Sequence, residues 1–201
     1  MSDKINVKKR NGRGTEPLDI EKIHQMVAYA CEGLSGVSES QVEIQSGLQF
    51  YDGVTTEEIQ QILINSANNL ITLDNPNYQF VAARLLLFSL RKQLFHKLWD
   101  HPKLSTHIKN CINKKVYDED FLNYYSAADI DRLDSMIDHE RDYLFTYAGL
   151  RQVLDKYLVQ DRSNGDIFET PQFMYMMIAA TLFKNYPKET RLSYVKKYYN
   201  A

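Results

Sequence analysis

A chain of 201 residues, 44% hydrophobic and 25% charged, has the make-up of one large or two small folded domains, which excludes a disordered tail, a collagen-like rod or a low-complexity scaffold. A formal charge of −2 excludes a polycation that coats nucleic acid, and eight glycines with five prolines supply too few turns for an irregular sandwich. No apolar run is long enough to cross a bilayer, Met1-Ser2-Asp3-Lys4 lacks a signal-peptide core, and two cysteines, Cys31 and Cys111, are too few for a disulfide framework or a four-cysteine zinc site; together these predict a cytoplasmic protein.

Residues 1–19 read as a β-hairpin. Ile5 and Val7 alternate with Asn6 and Lys8, Asn11-Gly12-Arg13-Gly14 tolerates positive φ, and Thr15 to Leu18 return with Pro17 confining that strand to an edge. A first helix starts at the N-cap Asp19, carries the stripe Ile20, Ile23, Val27, Cys31, Leu34, and ends at Gly33 and Gly36. A second opens on the capping-box pattern Ser38-Glu39-Ser40-Gln41 and runs towards Phe50, with Gly53 as its stop; a third opens on Thr55-Thr56-Glu57-Glu58. The fourth begins at Asn75-Pro76 and is apolar nearly all round from Tyr78 to Leu90, as a buried central helix is. Asp100-His101-Pro102 marks a boundary. Beyond it helices are predicted over 104–115, 118–125, 127–137 and 145–154, then a second hairpin around Ser163-Asn164-Gly165, a helix opening at Thr170-Pro171, and a last helix from near Pro187. The stripe of that last helix reaches Ala201 without a stop signal, which predicts the front part of a longer protein. The fold class is therefore mainly α with two small β elements.

Chemistry concentrates at the first turn. Lys8, Lys9, Arg10 and Arg13 crowd it, and strand alternation places Lys9 on the inward face of Ile5 and Val7. An inward lysine needs an anion, because a buried unpaired charge costs several kcal/mol. Lys22 sits in the first turn of the first helix, where a cation opposes the helix dipole. A phosphate between hairpin and helix end resolves both; the alternative is a solvated basic turn with Lys9 snorkelling to the surface. Elsewhere the residues suggest no catalysis. His96, His101 and His107 have no zinc spacing and read as surface or capping residues, and Asp138-His139-Glu140-Arg141-Asp142 reads as a solvated, salt-bridged helix start. Phe173-Met174-Tyr175-Met176-Met177 reads as core, and neither cysteine has an activating neighbour. No metal is expected.

Four stretches in order resemble a known family. Val7-Lys8-Lys9-Arg10-Asn11-Gly12 followed by Glu16 and Asp19-Ile20-Glu21-Lys22-Ile23 resembles the ATP-cone at the start of ribonucleotide reductase large subunits. Gln49-Phe50-Tyr51-Asp52-Gly53, Tyr78 to Leu85, and Lys156-Tyr157-Leu158-Val159 with Glu169-Thr170-Pro171-Gln172 are similar to the class I, aerobic form of that subunit. The resemblance covers essentially the whole chain. It implies a cone over residues 1–95, four helices capped by a small β-sheet, and a helical region over 96–201 with one β-hairpin, leading to a catalytic barrel that this chain lacks.

What the resemblance implies for function follows residue by residue. ATP and dATP are the expected allosteric effectors, contacted by Val7, Lys9, Arg10, Glu16, Lys22, Thr56 and Lys92. Gln60 and Ser89 stand where the family often has histidines, which puts dATP inhibition in doubt and opens an alternative: an assembly segment whose degenerate cone holds no nucleotide. The catalytic cysteines lie beyond the matched segment, so the chain is not active alone, and Tyr198-Tyr199 is not a radical-relay pair. The implied partners are the remainder of the large subunit, in cis or in trans, and the small radical-bearing subunit, with a homodimer in the intact enzyme. No membrane and no nucleic acid is implied. A transcriptional repressor with an ATP-cone is disfavoured because its zinc ribbon needs two cysteine pairs, and a DNA-binding arm over 8–13 is disfavoured beside the phosphate reading.

Overall fold

The computed structural model describes residues 5–9 and 14–201. Arg10 and the expected turn Asn11-Gly12-Arg13 lie outside the described residues. The chain is mainly α, in two compact units: Met1–Leu90 with Tyr143–Arg151, and Arg91–Asp142 with Gln152–Ala201.

The first unit begins with β1 (Asn6–Lys8) paired antiparallel to β2 (Thr15–Pro17), Val7 opposite Glu16. A two-residue strand that the sequence pattern did not signal, β3 (Val54–Thr55), adds parallel to β1, so the sheet runs β2-β1-β3 with the Pro17 strand at an edge as expected. Gly53 makes this possible: its φ of +84° turns the chain into β3, and its N–H donates to the Asn6 carbonyl at 2.8 Å. The Asp52 carboxylate accepts from the Asn6 backbone N–H at 2.8 Å, so both bonds hold the start of β1.

Helix α1 (Ile20–Cys31) starts at Asp19, whose side chain accepts from the Lys22 N–H; α2 (Glu39–Gly47) starts at Ser38, which accepts from Gln41. Helix α3 (Thr56–Asn69) carries a reciprocal capping box between Thr55 and Glu58. Helix α4 (Tyr78–Phe95) starts two positions beyond Pro76 and buries Val81, Ala82, Leu85 and Leu87 completely, as its nearly uniform apolarity predicts. Among its polar residues, the buried Tyr78 hydroxyl donates to Gln41 Oε1 at 2.6 Å and accepts from the Ser38 N–H, and Arg84 Nη1 donates to the Ala30 and Glu32 carbonyls at the end of α1.

The second unit contains α5 (Leu104–Asn113), α6 (Phe121–Tyr124), α7 (Ala127–Asp134), most of a 3₁₀ helix over His139–Leu144, the hairpin β4 (Gln160–Asp161) with β5 (Asp166–Ile167), α9 (Pro171–Leu182) and α10 (Lys188–Tyr199); α8 (Tyr147–Lys156) runs across the boundary in the chain. Its core gathers Leu104, Ile108, Phe121, Leu133, Phe173, Met176 and Val195, so the Met and aromatic run is core as expected except for Tyr175, which is exposed.

The run 138–142 starts a 3₁₀ helix with Asp138 and Glu140 exposed and Arg141 paired to Asp138 as expected, but its last member is not solvated. Asp142 is only 1% exposed, accepting from Gln172 Nε2 at 2.9 Å and from Arg91 at 3.4 Å, and Tyr199 donates to Gln172. Burial pushes the Asp142 carboxyl up to about 6 against the pull of Gln172 and Arg91. His96 is exposed just past the end of α4, as expected, whereas His101, His107 and His139 differ from expectation. His107 is buried and stacked on Phe173, and His101 is half-buried and stacked on His139 with ring centroids 3.7 Å apart. Desolvation lowers all three, to about 4, 3 and 4 for His107, His101 and His139, so they are neutral packing groups.

Candidate functional site

The candidate site grows from the junction of β1, β2 and the start of α1. Strand pairing stops at Lys8, and Lys9 follows with its N–H donating to the Gly14 carbonyl at 3.2 Å. Strand alternation therefore no longer governs Lys9. Its side chain is 44% exposed, not inward, and its ammonium lies 2.7 Å from Glu16 Oε2 on the neighbouring strand. Lys22 is 71% exposed, with its ammonium 3.2 Å from Asp19 Oδ2. Asp19 thus caps α1 and neutralises the cation in its first turn, which explains how Lys22 is tolerated there. Neither lysine is misplaced, and neither needs a phosphate to be stable.

What remains is an assembled, alternating-charge cluster. The hydrogen bond from Lys9 holds the Glu16 carboxyl below its ordinary value, with the charge of Lys22 acting the same way, and the side-chain and backbone hydrogen bonds from Lys22 do the same to Asp19. Lys9, Glu16, Asp19 and Lys22 therefore feel one another's fields at the end of one helix. Val7 is buried at 4% in the central strand and offers shape, not a polar group. Thr56 is half-buried as the first residue of α3. Lys92 is half-buried on α4, in the second unit.

Lys8 is a residue whose placement the sequence did not signal. Its chain lies against Gly53, where an added Cβ would sit 3.6 Å from Lys8 Cε, and its charge lowers both Asp52 and Glu58 after their hydrogen bonds from Asn6 and Thr55. The signal available was Gly53 itself, a residue that lets a side chain cross the backbone closely.

Gln60 also has a definite structural role. It is 3% exposed, and its Nε2 donates to the Leu85 carbonyl of α4 at 2.9 Å. That carbonyl is the helical acceptor for the N–H of Ser89, so the two positions that depart from the resembled family meet at one atom. Among the described residues no group of three or more His, Cys, Asp or Glu could hold a metal, and no helix is long and apolar enough to cross a membrane.

Residues 5–93 match the ATP cone domain, and residues 143–201 match the ribonucleotide reductase all-alpha domain. The two define an ATP-cone-bearing chain of the ribonucleotide reductase kind. All 201 residues are 44% identical to the ribonucleoside-diphosphate reductase subunit alpha of Haemophilus influenzae, covering 26% of that protein, and 44% identical to subunit alpha of reductase 1 of Escherichia coli, again over 26% of it. Over 199 residues the chain is 41% identical to the enterobacteria phage T4 alpha subunit. The chain belongs to the ribonucleoside-diphosphate reductase alpha-subunit family, of which it carries the N-terminal ATP cone and the all-alpha domain. It spans about a quarter of the length of these relatives.

Proposed function

We propose that this chain is the effector-sensing front of a ribonucleoside-diphosphate reductase. Its cone, taken as residues 1–95, binds ATP and dATP through Val7, Lys9, Arg10, Glu16, Lys22 and Thr56, with Lys92 as the remaining contact, and its occupancy regulates the reduction of ribonucleotides to deoxyribonucleotides for DNA synthesis. The observation that carries this reading is the cluster of Lys9, Glu16, Asp19 and Lys22 at the start of α1, inside the segment that matches the ATP cone. Two exposed ammonium groups held by carboxylates beside a helix N-terminus can exchange those partners for the oxygens of a polyphosphate, which brings more negative charge than a single carboxylate.

The reduction itself is assigned to the remainder of a large subunit, its barrel in cis or in trans, working with a small radical-bearing subunit, dimeric in the intact enzyme and in the cytoplasm. Both thiols of this chain are buried and raised by burial, Cys31 to about 11 and Cys111 to about 12, which suits packing and not redox work. Tyr175, Ile178 and Leu182 on α9 are 37, 42 and 55% exposed, an apolar face suited to the rest of a large subunit. A second reading, an assembly segment with a cone that holds no nucleotide, is favoured by the engagement of Gln60 with Leu85. Calorimetric titration of the whole chain with ATP and with dATP separates the two: a micromolar dissociation constant, about −8 kcal/mol, is expected for ATP. No heat with either nucleotide leaves the assembly reading.

A further inference from the structure

Lys22 already holds an anion supplied by the chain itself. Asp19 Oδ1 accepts from the Lys22 backbone N–H at 3.3 Å, and Asp19 Oδ2 lies 3.2 Å from the Lys22 ammonium. These are the two kinds of group that a phosphate at a helix start claims, an N–H of the first turn and a neighbouring cation. One short side chain occupies both. The second carboxylate of the turn, Glu21, accepts instead from Gln25 Nε2 at 3.3 Å. On the strand side Glu16 holds Lys9 at 2.7 Å.

The two ion pairs share one field. The charge of Asp19 opposes ionisation of Glu16, although the hydrogen bond from Lys9 outweighs it. A polyphosphate that enters meets Asp19 in two ways. It must take the Lys22 ammonium from the carboxylate, and the carboxylate cannot then move far, because its residue is the N-cap of α1 and its backbone is fixed by the helix start. The displaced carboxylate therefore stays as a negative charge beside the incoming one, and like charges at close range repel. The side chains of Lys22 and Asp19 are 71 and 45% exposed, so solvent and ligand both reach the pair.

We propose that Asp19 is the resident anion of the cone and a negative determinant of effector affinity, holding Lys22 until a polyphosphate displaces it. The inference rests on the nucleotide reading above and adds to it a residue that works against the ligand. Asp19 is a positioning residue, acting through the Lys22 ammonium. Its charge is not what the cap requires, since asparagine and serine cap a helix about as well as aspartate. A neutral cap keeps an oxygen for the Lys22 N–H and releases the ammonium to the phosphates.

Calorimetric titration of the full chain with ATP, at low salt and without added divalent cation, tests this. Asp19→Asn should bind ATP about three- to tenfold more tightly than the unsubstituted chain, with a melting temperature within a few degrees of it. Asp19→Ser, a second neutral cap, should do the same. A role confined to capping would leave the affinity unchanged or lower it. In a Lys22→Ala background most of the gain from Asp19→Asn should disappear, because the two residues act as a pair. Inorganic tripolyphosphate, titrated in parallel, separates this inference from the nucleotide reading: tripolyphosphate binding that Asp19→Asn tightens, with no heat from ATP, keeps Asp19 as the resident anion and removes only the nucleotide. Affinity for ATP and tripolyphosphate that neither neutral cap improves, a gain equally large without Lys22, or no heat from either ligand in the Asp19→Asn protein overturns the proposal.

Discussion

Replacing Gln60 separates its structural role from any contact with nucleotide. Its Nε2 donates at 2.9 Å to the Leu85 carbonyl, which already accepts the Ser89 N–H within α4, so removing the amide leaves no orphaned acceptor. Gln60→Ala therefore loses one buried hydrogen bond, about 1 kcal/mol, and the packing of a side chain that is 3% exposed, about 1–2 kcal/mol more. At about 4–8 °C per kcal/mol for a domain of this size, the melting temperature falls by roughly 10–20 °C. Gln60→Leu refills the volume without an unpaired group and costs less than about 1 kcal/mol. Heat and urea unfolding followed by circular dichroism measures both. No loss for either variant would refute the bridge, and equal losses would contradict the packing contribution of the side chain. A donor committed to Leu85 is also unavailable to a phosphate, so Gln60→Leu should keep its ATP affinity within about threefold; a loss of tenfold, about 1.4 kcal/mol, would mean that Gln60 leaves Leu85 for the ligand.

Three further outcomes follow from the packing and the titrating groups. Phe173, fully buried against Phe95, His107 and His139, should cost about 3–5 kcal/mol on truncation to alanine, measured by urea unfolding; a loss below about 1 kcal/mol would contradict the core as described. His24 Nδ1 lies 2.7 Å from Glu43 Oε1 between α1 and α2, and that carboxylate raises the histidine's pKa. Because the folded value lies above the unfolded one of about 6.5, the pair's stabilisation is complete below that pH and is lost as the pH rises through the folded value. Glu43→Gln should return the His24 titration, followed by NMR, to about 6.5, and a wild-type value already there removes the pair. The thiols of Cys31 and Cys111 should react slowly with an aromatic disulfide reagent at about pH 8 until denaturant is added, and rapid labelling of the folded chain would contradict their burial.

Where the fold was legible, the cause was local. Asp19, Ser38 and Thr55 mark helix starts through side-chain oxygens that reach N–H groups only three residues on, and the apolar circumference of α4 declares burial without knowledge of its neighbours. What stayed hidden depends on partners distant in sequence. Strand β3 is two residues long and exists because β1 lies beside it. Asp142 looks solvated among charged neighbours, yet Arg91 and Gln172 bury it. The lysines at the site were legible by type and not by direction. Alternation placed Lys9 inward, but the strand ends one residue earlier, and Glu16 and Asp19 supply the counter-charges.

The location of the nucleotide is the claim to test most directly. Backbone amide shifts of the full chain, followed by NMR during titration with ATP, should move together at Lys9, Glu16, Lys22 and Thr56, saturate at micromolar nucleotide, and leave α9 and α10 in place. Saturable shifts that spare the start of α1 and the β1–β2 strands, or no shifts at all, would contradict the account.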